Sequence, residues 1–175
     1  MRIFLTLSTS AASSSDNTFR YIFYDTLVAL GHDVIFLNYF DVKKTVKNKK
    51  NSVDQISEKI YNQFLVHHKK KPFDLFLSYY NSSQVNSELY NNINNHTFSV
   101  NYTTNFHQIP LYKPLLRAAN LSIYCSKEAE HYFHENATNS YYMPFAGLSS
   151  NLNFQKTKNG KISFIGTSYG HRPHY

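Results

Sequence analysis

Short apolar runs alternate with amphipathic stretches along most of the chain, and this alternation restricts the fold more than any other feature. The apolar runs cover residues 3–7, 33–38, 73–80, 97–102, 121–125 and 141–145, each long enough for a buried strand. Between the first two, Phe19, Ile22, Phe23, Thr26, Leu27 and Leu30 recur at the spacing of one helix face, and Gly31 stands where a helix commonly stops. Val53, Ile56, Ile60, Phe64 and Leu65 repeat that pattern over 52–67, and Pro72 breaks it. Weaker helical patterns cover 84–91 and 111–119; a clear one covers 127–135, with Ser126 as its expected cap. Strands separated by helices pair in parallel, because each crossover returns the chain to the same end of the sheet. The expected class is therefore α/β: a doubly wound, mostly parallel sheet with helices on both faces.

The 175 residues suffice for one ordinary core. Aromatic residues make up 17%, with 15 Tyr and 14 Phe, so many strand positions carry rings where Val or Leu is more usual. The single cysteine, Cys125, excludes an intramolecular disulfide framework and points to a reducing compartment. It ends an apolar run and reads as a small core residue. The first apolar run is too short for a signal peptide or a membrane span, so a cytoplasmic location is expected. His131 and His134 lie three apart on a predicted helix, a spacing able to share a metal, but no third ligand accompanies them. They read as a surface pair, and no metal site is expected.

The formal charge of +7 is concentrated in two clusters. One is Lys43, Lys44, Lys47, Lys49 and Lys50; the other is His67, His68, Lys69, Lys70 and Lys71. Both fall where loops are expected. Solvated loops are the plain reading, and peripheral contact with the inner membrane surface is the sharper one. Nucleic acid fits less well, because no aromatic residues are interleaved in a stacking pattern.

Ligands of such sheets bind at the carboxyl ends of the strands, which directs attention to residues 8–16, 78–83, 103–107, 125–127 and 145–148. Ser13, Ser14 and Ser15 form a polar loop able to hydrogen-bond a ligand. Asp16 has two roles open to it, helix N-cap or carboxylate base in a cleft. Of the Tyr79–Tyr80 pair, one ring must face each side of the sheet. His107 follows the fourth run as a general base, an orienting group or a hydrogen-bonded loop histidine. Gly166 and Gly170 permit a tight turn with free backbone N–H groups, and Arg172 can neutralise a phosphate there. The Lys-Ser/Thr ending of an ATP-binding loop is missing, and so is a Gly-x-Gly-x-x-Gly turn after the first run.

Four stretches carry a resemblance to a known family. They are Phe73-Asp74-Leu75-Phe76-Leu77-Ser78-Tyr79-Tyr80, Val100-Asn101-Tyr102-Thr103-Thr104-Asn105-Phe106-His107, Ala119-Asn120-Leu121-Ser122-Ile123-Tyr124-Cys125-Ser126 and Ile162-Ser163-Phe164-Ile165-Gly166-Thr167-Ser168-Tyr169-Gly170-His171-Arg172-Pro173. With these the chain resembles the amino-terminal half of GT-B glycosyltransferases, in particular the group related to the spore-maturation protein CgeB. The resemblance implies two Rossmann-like domains with the active cleft between them. Residues 1–150 would be the amino-terminal, acceptor-side domain and 151–160 the linker. Residues 161–175 would be the first strand and glycine turn of a donor-binding domain that this sequence otherwise lacks. Gly166, Thr167, Gly170 and Arg172 would hold the donor diphosphate, with His107 and Asp16 as catalytic groups. Ser13, Ser14, Ser15, Tyr79, Tyr80 and Asn105 would meet the acceptor.

The implied reaction is attack of an acceptor hydroxyl on the anomeric carbon of a nucleotide-sugar, with a nucleoside diphosphate leaving. The nucleotide-sugar is a co-substrate; no cofactor is implied. The acceptor is a glycan, a lipid-linked glycan or a protein, and this chain alone is expected to be inactive. The alternative is a non-catalytic glycan- or partner-binding module made from a half-enzyme.

Overall fold

The computed structural model describes residues 1–8, 19–46, 50–104 and 109–144. Six strands form one sheet: β1 (Arg2–Leu7), β2 (Asp33–Asn38), β3 (Leu75–Tyr79), β4 (Phe98–Thr103), β5 (Leu121–Tyr124) and β6 (Ser140–Tyr142). All five pairings are parallel, in the order β2-β1-β3-β4-β5-β6. The order 2-1-3-4-5 is that of flavodoxin-like sheets, and β6 extends it at one edge. The fold is thus Rossmann-like, α/β and doubly wound.

Alternation along the strands assigns each side chain to one of two faces. Phe4, Phe76 and Tyr80 point to the first face, where they meet four helices: α2 (Tyr39–Lys44), α3 (Ser52–His68), α4 (Ser87–Asn94) and α5 (Ile109–Leu116). Ile56, Ile60 and Phe64, spaced four apart on α3, are at most 1% exposed there. The high aromatic content is spent on this layer: Phe4 contacts Phe64 edge-on at 5.6 Å and stacks on Phe76 at 5.9 Å. A smaller cluster of Tyr112, Leu116, Tyr124, Ala129 and Phe133 joins α5 to β5 and α6 (Glu130–Asn136).

The second face meets α1, a π-helical turn over Arg20–Asp25 that continues as an α-helical turn over Thr26–Ala29. Its rings reach three strands: Phe19 stacks on Tyr79 at 5.0 Å, Phe23 meets Tyr102 at 5.3 Å and Tyr24 meets Phe36 at 5.7 Å. Gly31 ends the helix with φ 82°, the left-handed conformation that a glycine takes without strain. Among the described residues this face is open at the start of β4 and on β6, where Phe98 is 49% and Tyr141 62% exposed.

Three local expectations are corrected. The lysine-rich stretch after β2 is in part helical: Asn38 Oδ1 caps α2 by accepting from Phe40 N–H at 2.9 Å, and Lys43 and Lys44 lie in its last turn. Only Tyr39 and Val42 of α2 are buried, too short a run for periodicity to reveal. The helix expected at 84–91 lies three residues later, because Asn86 caps it through Leu89 N–H at 3.2 Å. Ser126 does not cap its helix. Its hydroxyl bonds the Glu128 carboxylate, and the segment enters through a 3₁₀ turn over Lys127–Ala129.

The second basic cluster is also partly helical, and it builds the junction between α3 and β3. His67 and His68 close α3, and the His68 ring stacks on Phe64 at 4.9 Å. His68 Nδ1 accepts from Phe73 N–H at 3.1 Å, which requires that nitrogen to be unprotonated. Burial holds the imidazole below its usual pKa, and nearby His96 and the Arg2 guanidinium add to the effect. Around it stand Arg2 from β1, with the Arg2 guanidinium 4.3 Å over Phe73, and His96, itself bonded to Tyr61 OH at 3.0 Å. A histidine whose folded pKa is depressed stabilises the fold above its unfolded pKa, about 6.5, and that stability is lost as pH falls through the folded value. The melting temperature should therefore fall between about pH 7 and pH 5, and His68→Asn, which keeps an acceptor but does not titrate, should flatten that part of the profile. An unchanged profile in His68→Asn would contradict this assignment.

Candidate functional site

The site begins with a row of polar side chains where apolar ones are the rule. Thr6, Ser78, Asn101, Ser122 and Ser140 are in register across β1, β3, β4, β5 and β6, all on the α3 face. The first four are completely buried. Buried polar groups are tolerated when they are hydrogen-bonded, as Thr6, Ser78 and Asn101 are, and their bonds shape the carboxyl end of the sheet; Ser122 Oγ has no partner among the described residues.

Asn101 is the central member. Pairing of β3 with β4 ends at Ser78↔Asn101, whereas β3 stays with β1 as far as Leu7↔Tyr79. Beyond Ser78 the backbone of Tyr80 has no backbone partner on β4, and the side-chain amide of Asn101, itself on β4, takes that place. Tyr80 N–H donates to Asn101 Oδ1 at 3.1 Å, and Asn101 Nδ2 donates to Tyr80 O at 3.0 Å. Ser78 Oγ lies 2.8 Å from Tyr90 OH, 3.0 Å from Val100 O and 3.1 Å from Asn101 Oδ1. The Tyr80 hydroxyl is bonded to Thr6 Oγ1.

This arrangement opens a cavity of about 270 Å³ at the carboxyl ends of β1 and β3. The connection from β1 leaves towards β2 and that from β3 towards β4, so the two strands flank the topological switch point where α/β sheets bind ligands. The described lining is Ser8, Phe19, Tyr79, Tyr80, Asn81, Gln84 and Tyr112. Tyr79 and Phe19, stacked on each other at 5.0 Å, supply its aromatic side. Tyr79 OH is fixed at 2.6 Å from Thr104 Oγ1, whose backbone carbonyl accepts from the Cys125 thiol at 3.0 Å. Gln84 bridges the two strands: it accepts from Asn81 N–H at 3.0 Å and donates to Ser8 Oγ at 2.7 Å.

Electrostatically the described lining is neutral. Burial raises the pKa of Tyr79, and it raises that of Tyr80 further. Tyr102, behind Tyr79, is pushed up to about 12, again chiefly by burial. The Tyr79 and Tyr80 hydroxyls are bonded to Thr104 and Thr6, and none of the three phenols acts as a base at neutral pH. Burial also raises the Cys125 pKa, so it stays a thiol rather than a nucleophilic thiolate. The described part of the crevice is thus equipped to bind and orient a ligand; a proton acceptor for chemistry has to come from elsewhere.

Of the residues singled out from the sequence, Tyr79 and Tyr80 both border this cavity. Tyr79 is half-buried against Phe19, whereas Tyr80 is 1% exposed and its hydroxyl is committed to Thr6. Asp16, His107, Ser13, Ser14, Ser15, Asn105, Gly166, Thr167, Gly170 and Arg172 lie outside the described residues. Cys125 is half-buried, just past β5, rather than in the core. His131 and His134 pair with Glu135 and Glu130 at 3.1 and 3.9 Å, and no group of three metal-ligating side chains occurs among the described residues. Also among the described residues, no helix is long and apolar enough to cross a membrane.

Sequence reading alone did not single out Gln84, Phe19 or Asn101. For Asn101 a signal was present: Ser99, Asn101 and Thr103 place polar groups at every second position of an apolar run, which marks one face as polar.

Two larger hollows occur away from the strand ends. One of about 350 Å³ lies between α3 and α4 beside Asp54, Glu58 and Glu88, where Asn86 already bonds Asp54 at 2.7 Å. The other, about 390 Å³, is an open groove between α2 and α3. The first holds one buried polar side chain, Ser57, which donates to Val53 O at 2.8 Å and accepts from Asn86 N–H at 2.9 Å, but neither hollow lies at the carboxyl ends of the strands. No protein-family model matches this chain, and no curated protein matches it.

Replacing Asn101 by Ala should leave the Tyr80 N–H and C=O without partners. The expected cost is about 3 kcal/mol, from two buried backbone groups at roughly 1–3 kcal/mol each with partial relaxation. Urea unfolding of the variant measures it; a loss below about 1 kcal/mol would show that the amide is not the partner those groups depend on.

Proposed function

We propose that this chain is the acceptor-side domain of a nucleotide-sugar-dependent glycosyltransferase of GT-B type, with the switch-point crevice as its acceptor site. The observation that carries this reading is the makeup of the crevice: an aromatic Tyr79–Phe19 pair beside neutral amide and hydroxyl groups. A ligand that lies there needs one apolar face and an edge rich in oxygen, the description of a sugar ring. The all-parallel sheet, with the crevice at its carboxyl edge, supports the same reading. In it, transfer draws its base from Asp16 or His107 and its donor-phosphate contacts from Gly166, Thr167, Gly170 and Arg172. Tyr79 and the polar groups beside it orient the acceptor hydroxyl.

A second reading, a non-catalytic glycan-binding module, shares this crevice. One observation favours it: the described lining carries no carboxylate or imidazole. Turnover of a donor separates the two.

Ligand-induced melting tests the shared premise. A neutral saccharide at about ten times its Kd should add about 1.4 kcal/mol, a rise of roughly 3–6 °C for a chain of this size. Tyr79→Ala should abolish the rise. Stabilisation by UDP or GDP but by no saccharide, lost in Tyr79→Ala, would overturn the proposal in favour of a nucleotide site. Where a saccharide does bind, release of nucleoside diphosphate from UDP- or GDP-sugars by the product of the full reading frame that encodes this chain marks the enzyme, and no release by that product marks the binding module; the acceptor-side domain alone is expected to be inactive under either reading.

A further inference from the structure

The hydrogen bonds at the mouth of the crevice fix the direction of one proton, and with it the role of two residues. A backbone N–H can only donate, so Gln84 must turn its carbonyl oxygen to Asn81 N–H, 3.0 Å away. Its NH₂ group then faces Ser8 Oγ at 2.7 Å and donates to it. Ser8 is thereby an acceptor towards Gln84, and its own proton is left for another partner. No described residue accepts that proton.

The same logic orients Asn81. Its Oδ1 accepts from Ser83 N–H at 3.0 Å and from Ser83 Oγ at 2.6 Å, which leaves its NH₂ group as a donor. Asn81 and Gln84 are themselves held by a turn, with Gln84 N–H on Asn81 O at 3.0 Å, and Ser82 N–H ties that turn to Leu111 O at 2.8 Å.

We infer that Gln84 is a positioning residue that sets the Ser8 hydroxyl as a hydrogen-bond donor to an uncharged saccharide in the crevice. The inference rests on the acceptor-site reading above and deepens it. The crevice edge presents donors, Ser8 O–H and the Asn81 side-chain NH₂, beside the aromatic pair, and therefore selects ligands that present hydroxyl or acetamido oxygens there. Gln84 does not itself supply the discriminating bond; it acts through Ser8, across 76 residues of sequence.

The test is a double-mutant cycle on the full chain, with cellobiose, maltose and N,N′-diacetylchitobiose as probes followed by NMR titration. Ser8→Ala should weaken the best of these about fivefold, the loss of one neutral hydrogen bond. Gln84→Glu keeps the acceptor for Asn81 N–H but loses the donor, so the Ser8 proton turns to the new carboxylate. It should cost the same factor in the wild-type background and nothing further in the Ser8→Ala background. A merely structural role for Gln84 predicts instead equal losses in both backgrounds and a lowered melting temperature. Additive losses, or full affinity in Gln84→Glu, overturn this inference and leave the acceptor site standing. Failure of all three probes to bind the wild-type chain overturns the acceptor-site reading and this inference with it.

Discussion

A single side-chain amide reconciles two demands that otherwise conflict at the ligand edge of this sheet. A crevice needs neighbouring strands to part, but parted strands leave backbone N–H and C=O groups without partners in a buried environment. Asn101 resolves the conflict by bonding both the N–H and the C=O of Tyr80, as a neighbouring strand would. β3 is then free to leave β4 while it remains paired with β1 through Tyr79. The stacking of Tyr79 on Phe19, the Tyr79–Thr104 bond and the burial of Tyr80 all follow from where β3 is held after Ser78.

The rest of the polar row supports that edge. Thr6 holds the Tyr80 hydroxyl, and Ser78 gathers Tyr90, Val100 and Asn101. A fully apolar row would pack as well, but it could not satisfy the Tyr80 backbone. The chain keeps its aromatic layer one row deeper, where Phe4, Phe64 and Phe76 pack at ring separations of 5.6 to 6.1 Å. Stability and ligand geometry are thus assigned to different rows of the same strands. Preorganisation of this kind lowers the ordering cost that a ligand must otherwise meet on binding.

The strands were legible in the sequence as short runs rich in aliphatic and aromatic residues between polar or glycine-containing breaks: residues 33–38 coincide with β2, and the bounds of β1, β4 and β5 shift by no more than one residue. Helix boundaries were less legible, because caps decided them. Asn38 and Asn86 started α2 and α4 at positions that hydrophobic spacing did not mark, and Ser126 bonded a carboxylate in place of a backbone N–H. The strand order was not legible either, since alternation of elements fixes parallel pairing but not which strands are neighbours. Of the site, the Tyr79–Tyr80 step could be read from strand alternation alone. The bond from Gln84 to Ser8 joins residues far apart in sequence and emerges only once β1 and β3 are known to be neighbours.

The central claim is that the crevice exists before any ligand arrives, held by the Asn101 amide. Native-state hydrogen exchange of the Tyr80 backbone amide in the ligand-free protein tests it most directly. The account predicts protection close to that of the core strand amides of Leu5 and Phe76, because Tyr80 N–H is buried and bonded to Asn101 Oδ1. Exchange as fast as that of an exposed loop amide would contradict it, and would mean that this end of β3 is ordered only by what binds there.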